Sequence, residues 1–140
     1  DAHSTEMKEY TNFPVISLMA EQKSISNLGG TMRLGSFPCQ LKKGTKAHEA
    51  YKSTSIDERH RHRFEFNNDY MELFEESGMK ATGINPDSGL VEIIEIPDHP
   101  WFVGAQFHPE YKSTVAVPHP LFVAFVNAVR KNKVKLEKRD

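Results

Sequence analysis

The apolar positions of this chain fall into short runs separated by turn residues, a spacing that predicts many strands and few helices. Residues 14–19 (PVISLM) form a compact run of strand character, and Gly29-Gly30 marks a turn after the polar stretch 21–27. Residues 31–41 read as extended, with a break expected at Pro38. Thr45 is placed to cap a short helix over 45–51. Residues 56–66 (IDERHRHRFEF) alternate in places and predict one strand that ends at Asn67-Asn68. Asp69 is the expected cap of a helix with Tyr70, Leu73 and Phe74 on one face and Gly78 as its stop. Residues 79–84, 90–96 and 101–107 predict three successive strands, joined by turns at 85–89 and 97–100. Pro120 suits the first position of a last helix, whose expected buried stripe is Leu121, Phe122, Phe125, Val126 and Val129.

These elements lack the regular strand–helix alternation of a complete doubly wound sheet, and fit the second half of a larger α/β domain better. The 140 residues make one small domain or part of one, and 38% apolar content is enough for a packed core. Eighteen basic against nineteen acidic side chains leave a net charge of −1, which gives no bulk reason to expect nucleic acid or an anionic membrane as partner. No apolar run approaches the ~20 residues a membrane helix needs. Cys39 is the single cysteine, so no internal disulfide forms, and a reducing, cytoplasmic compartment is the expectation. The chain opens without methionine in a polar segment that has no signal-peptide pattern, and reads as a piece of something longer.

The run Gln106-Phe107-His108-Pro109-Glu110 is the most informative for chemistry. An apolar strand delivers a histidine at its carboxyl end, where open α/β sheets place catalytic groups. A histidine acting as general base needs its second ring nitrogen held by an acceptor, and Glu110 stands two residues on. A surface His-Pro turn beside a solvated glutamate has the same signature. In Arg59-His60-Arg61-His62-Arg63 the arginines share one strand face and the histidines the other. A carboxylate clamp, a metal-binding His pair, a phosphate contact and a plain charged strand pairing with Asp57, Glu58 and Glu65 all remain open from pattern alone. Gly29–Gly35 lacks the lysine and hydroxyl of a phosphate loop, and Cys39 lacks a Gly-rich elbow, so both read as structural.

Taken together the runs resemble the CTP synthase family. The segments that carry the likeness are His3-Ser-Thr-Glu6, Gly29-Gly-Thr-Met-Arg-Leu-Gly35, Glu58-Arg-His-Arg-His-Arg-Phe-Glu65, Leu90-Val-Glu-Ile-Ile-Glu95, Asp98-His-Pro-Trp-Phe-Val103, Gln106-Phe-His-Pro-Glu110 and His119-Pro-Leu-Phe122. The resemblance implies the C-terminal part of a class I glutamine amidotransferase domain. Its expected architecture is α/β, with a mixed, mostly parallel central sheet flanked by helices. Residues 1–130 would belong to that domain and 131–140 to a charged, disordered tail.

The resemblance also implies roles. The family hydrolyses L-glutamine in a glutaminase domain with a Cys-His-Glu triad. The ammonia passes to a synthetase domain that uses ATP and magnesium to aminate UTP to CTP. His108 and Glu110 match the last two triad members, while Glu6 and Arg63 match the glutamine-binding residues. Arg63 suits the α-carboxylate and Glu6 the α-ammonium. The nucleophilic cysteine with its elbow, the oxyanion loop and the synthetase domain are expected outside this sequence, so the chain by itself is expected to be inactive. No cofactor or metal is expected here. The expected partners are glutamine, the rest of the glutaminase domain and the synthetase domain, in a parent homotetramer. Two other readings are a non-catalytic packing module and a stand-alone hydrolase using Cys39.

Overall fold

Short connections force neighbouring strands to run against one another, and most of this fold is built that way. A computed structural model describes residues 1–18 and 32–137. Its larger sheet contains β3 (Arg33–Leu41), β4 (Ser55–His62), β6 (Lys80–Ile84), β7 (Val91–Glu95) and β8 (Val103–Ala105), in the order β4-β3-β6-β7-β8. Every pairing in it is antiparallel. The smaller sheet joins β1 (Ala2–Ser4), β2 (Phe13–Ser17) and β5 (Glu65–Phe66), and only its β1–β2 pair is parallel. The expectation of a mostly parallel sheet is therefore corrected for the described residues. The turns at 85–90 and 96–102 are too short for the crossovers that parallel neighbours need.

Several local expectations change as well. β3 runs unbroken through Pro38. The Pro38 carbonyl accepts from Asn85 Nδ2 at 3.0 Å, so its backbone polar positions face away from β4, and the missing N–H removes no rung of the β3–β4 ladder. The predicted strand over 56–66 divides at Arg63 into β4 and β5, which serve different sheets. Asn67, not Asp69, is the capping residue: its side chain accepts from Asp69 N at the 3-10 turn that leads into α2 (Met71–Glu76). The polar stretch 21–27 and the Gly29-Gly30-Thr31 portion of the glycine run lie outside the described residues.

The core sits where the larger sheet meets α1 (Lys46–Tyr51) and α3 (Pro120–Glu137). Cys39, Leu41, Ala47, Ile56, Ile93, Phe107 and Leu121 form it, with Trp101 and Val103 against its flank. Ile93 is fully buried, which contributes about 1.5–3 kcal/mol of transfer free energy. Thr45 caps α1 as the sequence predicts, accepting from His48 N. The buried Glu95 carboxylate takes the Lys46 and Ala47 amides, both at 2.9 Å, so its charge meets the positive end of the helix. Of the stripe expected on α3 only Leu121 is buried. Phe122, Phe125, Val126 and Val129 are 42–54% exposed, because no described element packs over that side. The same helix continues to Glu137, into the segment the charge run assigned to a tail.

Gly83 carries a steric requirement. A Cβ there would stand 2.8 Å from both Cys39 Sγ and Ile93 Cγ1, at the point where the β6–β7 register shifts. Gly83→Ala is expected to destabilise by ~1–3 kcal/mol through overpacking, read as faster hydrogen exchange in β6 and β7.

Candidate active site

β8 ends at Ala105, and the chain then crosses toward β4. The His108 amide donates to the Arg59 carbonyl at 2.8 Å, which fixes the height of the histidine against that strand. Pro109 opens a 3-10 turn, Pro109–Lys112, where its fixed φ is suited and its missing N–H costs nothing. The turn folds Glu110 back, so that Oε1 lies 2.7 Å from His108 Nδ1. Tyr111 stacks on the imidazole with ring centroids 5.0 Å apart. A carboxylate can only accept, so Nδ1 carries the proton and Nε2 is left basic. The hydrogen bond from His108 holds the Glu110 carboxyl below its usual pKa. The histidine side chain is 35% exposed, so the free nitrogen can meet a reactant.

Glu6 and Arg63 lie toward the same end of the smaller sheet. Ser4 pairs with Ile16 and Ile16 with Phe66, while Glu65 pairs with Ser17. The turn after β1, with exposed Glu6, and the bend before β5, with half-buried Arg63, therefore project from the same end of the three strands. A groove of about 830 Å³ opens beside their neighbours Thr5 and Phe64; its walls do not include His108. His108 and Glu110 touch, whereas Glu6 and Arg63 are placed by sheet register alone.

Cys39 is 1% exposed within the core, and burial pushes its thiol up to about 12. A thiol in that state is a poor nucleophile, which removes the hydrolase reading based on it. Among the described residues, no group of three or more His, Cys, Asp or Glu could hold a metal ion. Among them too, no helix is long and apolar enough to cross a membrane.

Beneath the site lies a buried polar cluster. Arg33 reaches Glu65 at 3.4 Å and also hydrogen-bonds Glu92. His60 Nδ1 and His62 Nε2 are 2.8 Å apart, and His62 Nδ1 lies 3.0 Å from the Phe64 carbonyl. His60 is the inward residue of the alternating strand, and it stacks edge-on against Phe107, the neighbour of His108. The charged strand does pair with carboxylates: His62 Nδ1 lies 3.5 Å from Glu65 Oε1, while the arginine that reaches Glu65 is Arg33 of β3.

The model of the family "Glutamine amidotransferase class-I" matches residues 6–128, a span that takes in Glu6, Arg63, His108 and Glu110. The chain belongs to the class I glutamine amidotransferases. Within that class, CTP synthase of Bacteroides fragilis is 63% identical over 128 residues, covering 91% of this chain and 24% of the relative. CTP synthase of Flavobacterium psychrophilum is 57% identical over 135 residues, covering 96% and 25%. Among solved structures, the Trypanosoma brucei CTPS glutaminase domain with bound acivicin matches with TM-score 0.84 at 31% identity. That match covers 94% of this chain and 51% of that one. The chain thus spans about a quarter of the length of the curated relatives it matches.

Sequence reasoning passed over four positions. Arg33, Glu92 and Gln106 build the cluster under the site, and His119, buried with Nε2 2.9 Å from Glu58 Oε1, links β4 to the start of α3. Glu92 carried the one available signal, a carboxylate inside the otherwise apolar strand Val91–Glu95.

Proposed function

We propose that this chain is the glutaminase part of a CTP synthase, hydrolysing L-glutamine to supply ammonia for ATP-dependent amination of UTP. The observation that carries the proposal is the 2.7 Å contact from His108 Nδ1 to Glu110, with Nε2 left free. His108 accepts the proton of a cysteine thiol, and the thiolate attacks the amide carbon. The protonated imidazole then hands that proton to the departing ammonia. Glu110 keeps Nδ1 protonated and offsets the positive charge that develops on the ring. The burial of Cys39 supports a nucleophile supplied from outside this sequence, and the length of the relatives supports a larger parent. ATP, magnesium and UTP act in that larger protein, in a synthetase domain outside these 140 residues.

Glu6 and Arg63 bind the substrate's α-ammonium and α-carboxylate. Their common end of the sheet supports this pairing of opposite charges. In the parent enzyme Arg63→Ala is expected to raise the glutamine KM roughly ten- to 150-fold, the cost of a lost charge-assisted bond, about 1.5–3 kcal/mol. Ammonia-driven CTP formation should be nearly unchanged. Equal damage to both rates would make Arg63 a structural residue.

A further inference from the structure

Glu110 is the less secure half of the pair it forms with His108. Its side chain is 55% exposed, so water competes for its oxygens, and the hold on it has to come from the backbone. The Glu110 carbonyl accepts from the Ser113 amide at 3.3 Å, and Ser113 Oγ accepts from the His119 amide at 3.1 Å. The His119 ring is buried, with Nε2 2.9 Å from Oε1 of the equally buried Glu58 on β4. Hydrogen bonds thus run without a gap from a buried carboxyl of β4 to the exposed carboxylate beside His108.

We propose that Glu58, acting through His119 and Ser113, is a positioning residue that sets the turn carrying Glu110. The proposal rests on the reading of His108 as base and Glu110 as its orienter.

The protons around Glu58 follow from neighbours that have one role each. The Leu121 amide donates to His119 Nδ1 at 3.3 Å, so that nitrogen is bare and the ring carries its proton on Nε2, toward Glu58 Oε1. Tyr51 Oη lies 3.2 Å from the same Nε2, which already has a proton, and so gives its own to Glu58 Oε1 at 2.8 Å. Donors from the end of α1 and the start of α3 therefore converge on one oxygen of β4. Glu58 Oε2 takes no hydrogen bond among the described residues; Lys112 Nζ stands 3.9 Å from it and donates to the Asp57 carbonyl. Lys112 ends the 3-10 turn, and His108 precedes it with its amide on the Arg59 carbonyl. Asp57 and Arg59 thus hold the turn at its two ends, and Glu58 between them holds the chain where it returns. The stretch between Ser113 and His119 is closed on itself. The Thr114 amide donates to the Val117 carbonyl and the Val117 amide to Thr114 Oγ1, both at 3.0 Å, so a shift at His119 passes on to Ser113.

Steady-state rates of the parent enzyme test the path. Ser113→Ala removes one acceptor and little else. It should lower the glutamine-driven kcat roughly two- to tenfold, the effect of one lost hydrogen bond, and leave the glutamine KM and ammonia-driven synthesis unchanged. Ser113→Thr keeps a hydroxyl and should keep the rate. Glu58→Leu removes the acceptor of both converging donors and should lower kcat further, while Glu58→Gln retains an amide oxygen for them and should stay near wild type. The decisive arm is the Glu110→Ala background. A residue that acts only through Glu110 has nothing left to position there, so Ser113→Ala should add no loss. An unchanged kcat in Ser113→Ala overturns the proposal. So does a loss of the same size with and without Glu110, or an equal loss of the ammonia-driven rate, since either would mark a structural role alone. Ser113→Ala decides the question even where Glu58→Leu does not fold. Unchanged glutamine turnover in Glu110→Ala would instead sink the reading of that carboxylate as orienter, and the proposal with it.

Discussion

His108→Ala in the parent enzyme should all but eliminate glutamine-driven CTP synthesis while ammonia-driven synthesis survives. General base catalysis by a positioned side chain contributes about 10²–10⁴-fold, and here the same ring must also protonate the leaving group. Alanine removes both transfers and leaves Glu110 facing solvent. Glu110→Gln should be milder. An amide oxygen still accepts from Nδ1, at the 2.7 Å contact, but the charge that stabilises an imidazolium is gone. The variant also loses the carboxyl whose pKa the histidine holds down, so its residual activity should vary less with acidity. The ratio of glutamine-driven to ammonia-driven rates reads all three proteins. An unchanged ratio in His108→Ala would reduce the His-Pro-Glu run to a turn.

Arg33→Ala should be the most damaging substitution for stability. Glu65 and Glu92 are almost fully buried, and Arg33 is the cation that both contact; its guanidinium also lies 4.6 Å over the Phe37 ring. Removing one partner of a buried ion pair costs about 3–5 kcal/mol, because the other charges stay in the interior. Hydrogen exchange in β3 and β4 should accelerate about 10²–10⁴-fold, the same energy expressed as a protection factor. The sign of the pH effect follows from the carboxyls. Burial raises Glu65 to about 7 in the folded protein, above its unfolded value, and raises Glu92 as well. Their contribution is complete below the unfolded pKa and is lost as pH rises through the folded one. Arg33→Ala should therefore hurt less at pH 5 than at pH 8. Arg33→Met combined with Glu92→Gln should recover much of the loss. An equal penalty at both pH values would show that packing against Phe37, not charge, is the role of Arg33.

What the sequence revealed and what it hid divide by chain separation. His108 and Glu110 are two residues apart across a proline, so spacing alone could suggest their contact. The cap at Thr45, the stop at Gly78 and the start at Pro120 are local in the same way. Arg33, Glu65 and Glu92 lie in three strands and meet only after the sheets form, and no local pattern reports such a meeting. The inward histidines were placed on their correct face by alternation, but the partners of that face were not visible. The mostly parallel sheet came from the family likeness, although the brief turns between the last three strands already argued for antiparallel neighbours. The apolar stripe of α3 was read correctly as apolar and wrongly as buried, because periodicity tells which side is greasy and not what lies over it.

β4 also acts as a measuring rod. One of its carbonyls, at Arg59, takes the amide of His108, the proposed base, and four residues further on the chain turns at the arginine proposed to grip the substrate's carboxylate. An extended strand advances roughly 3.3 Å per residue and resists compression, so the spacing between grip and base is set by a count of residues. On the proposed roles of Arg63 and His108, a substrate would be selected by its length. Asparagine carries the same two ends as glutamine on one methylene fewer, and held by the carboxylate it would present its amide short of the base. Since a misplacement of about 1 Å costs on the order of 10²-fold in rate, a rigid strand can discriminate between the two amino acids without any pocket shaped to the missing carbon.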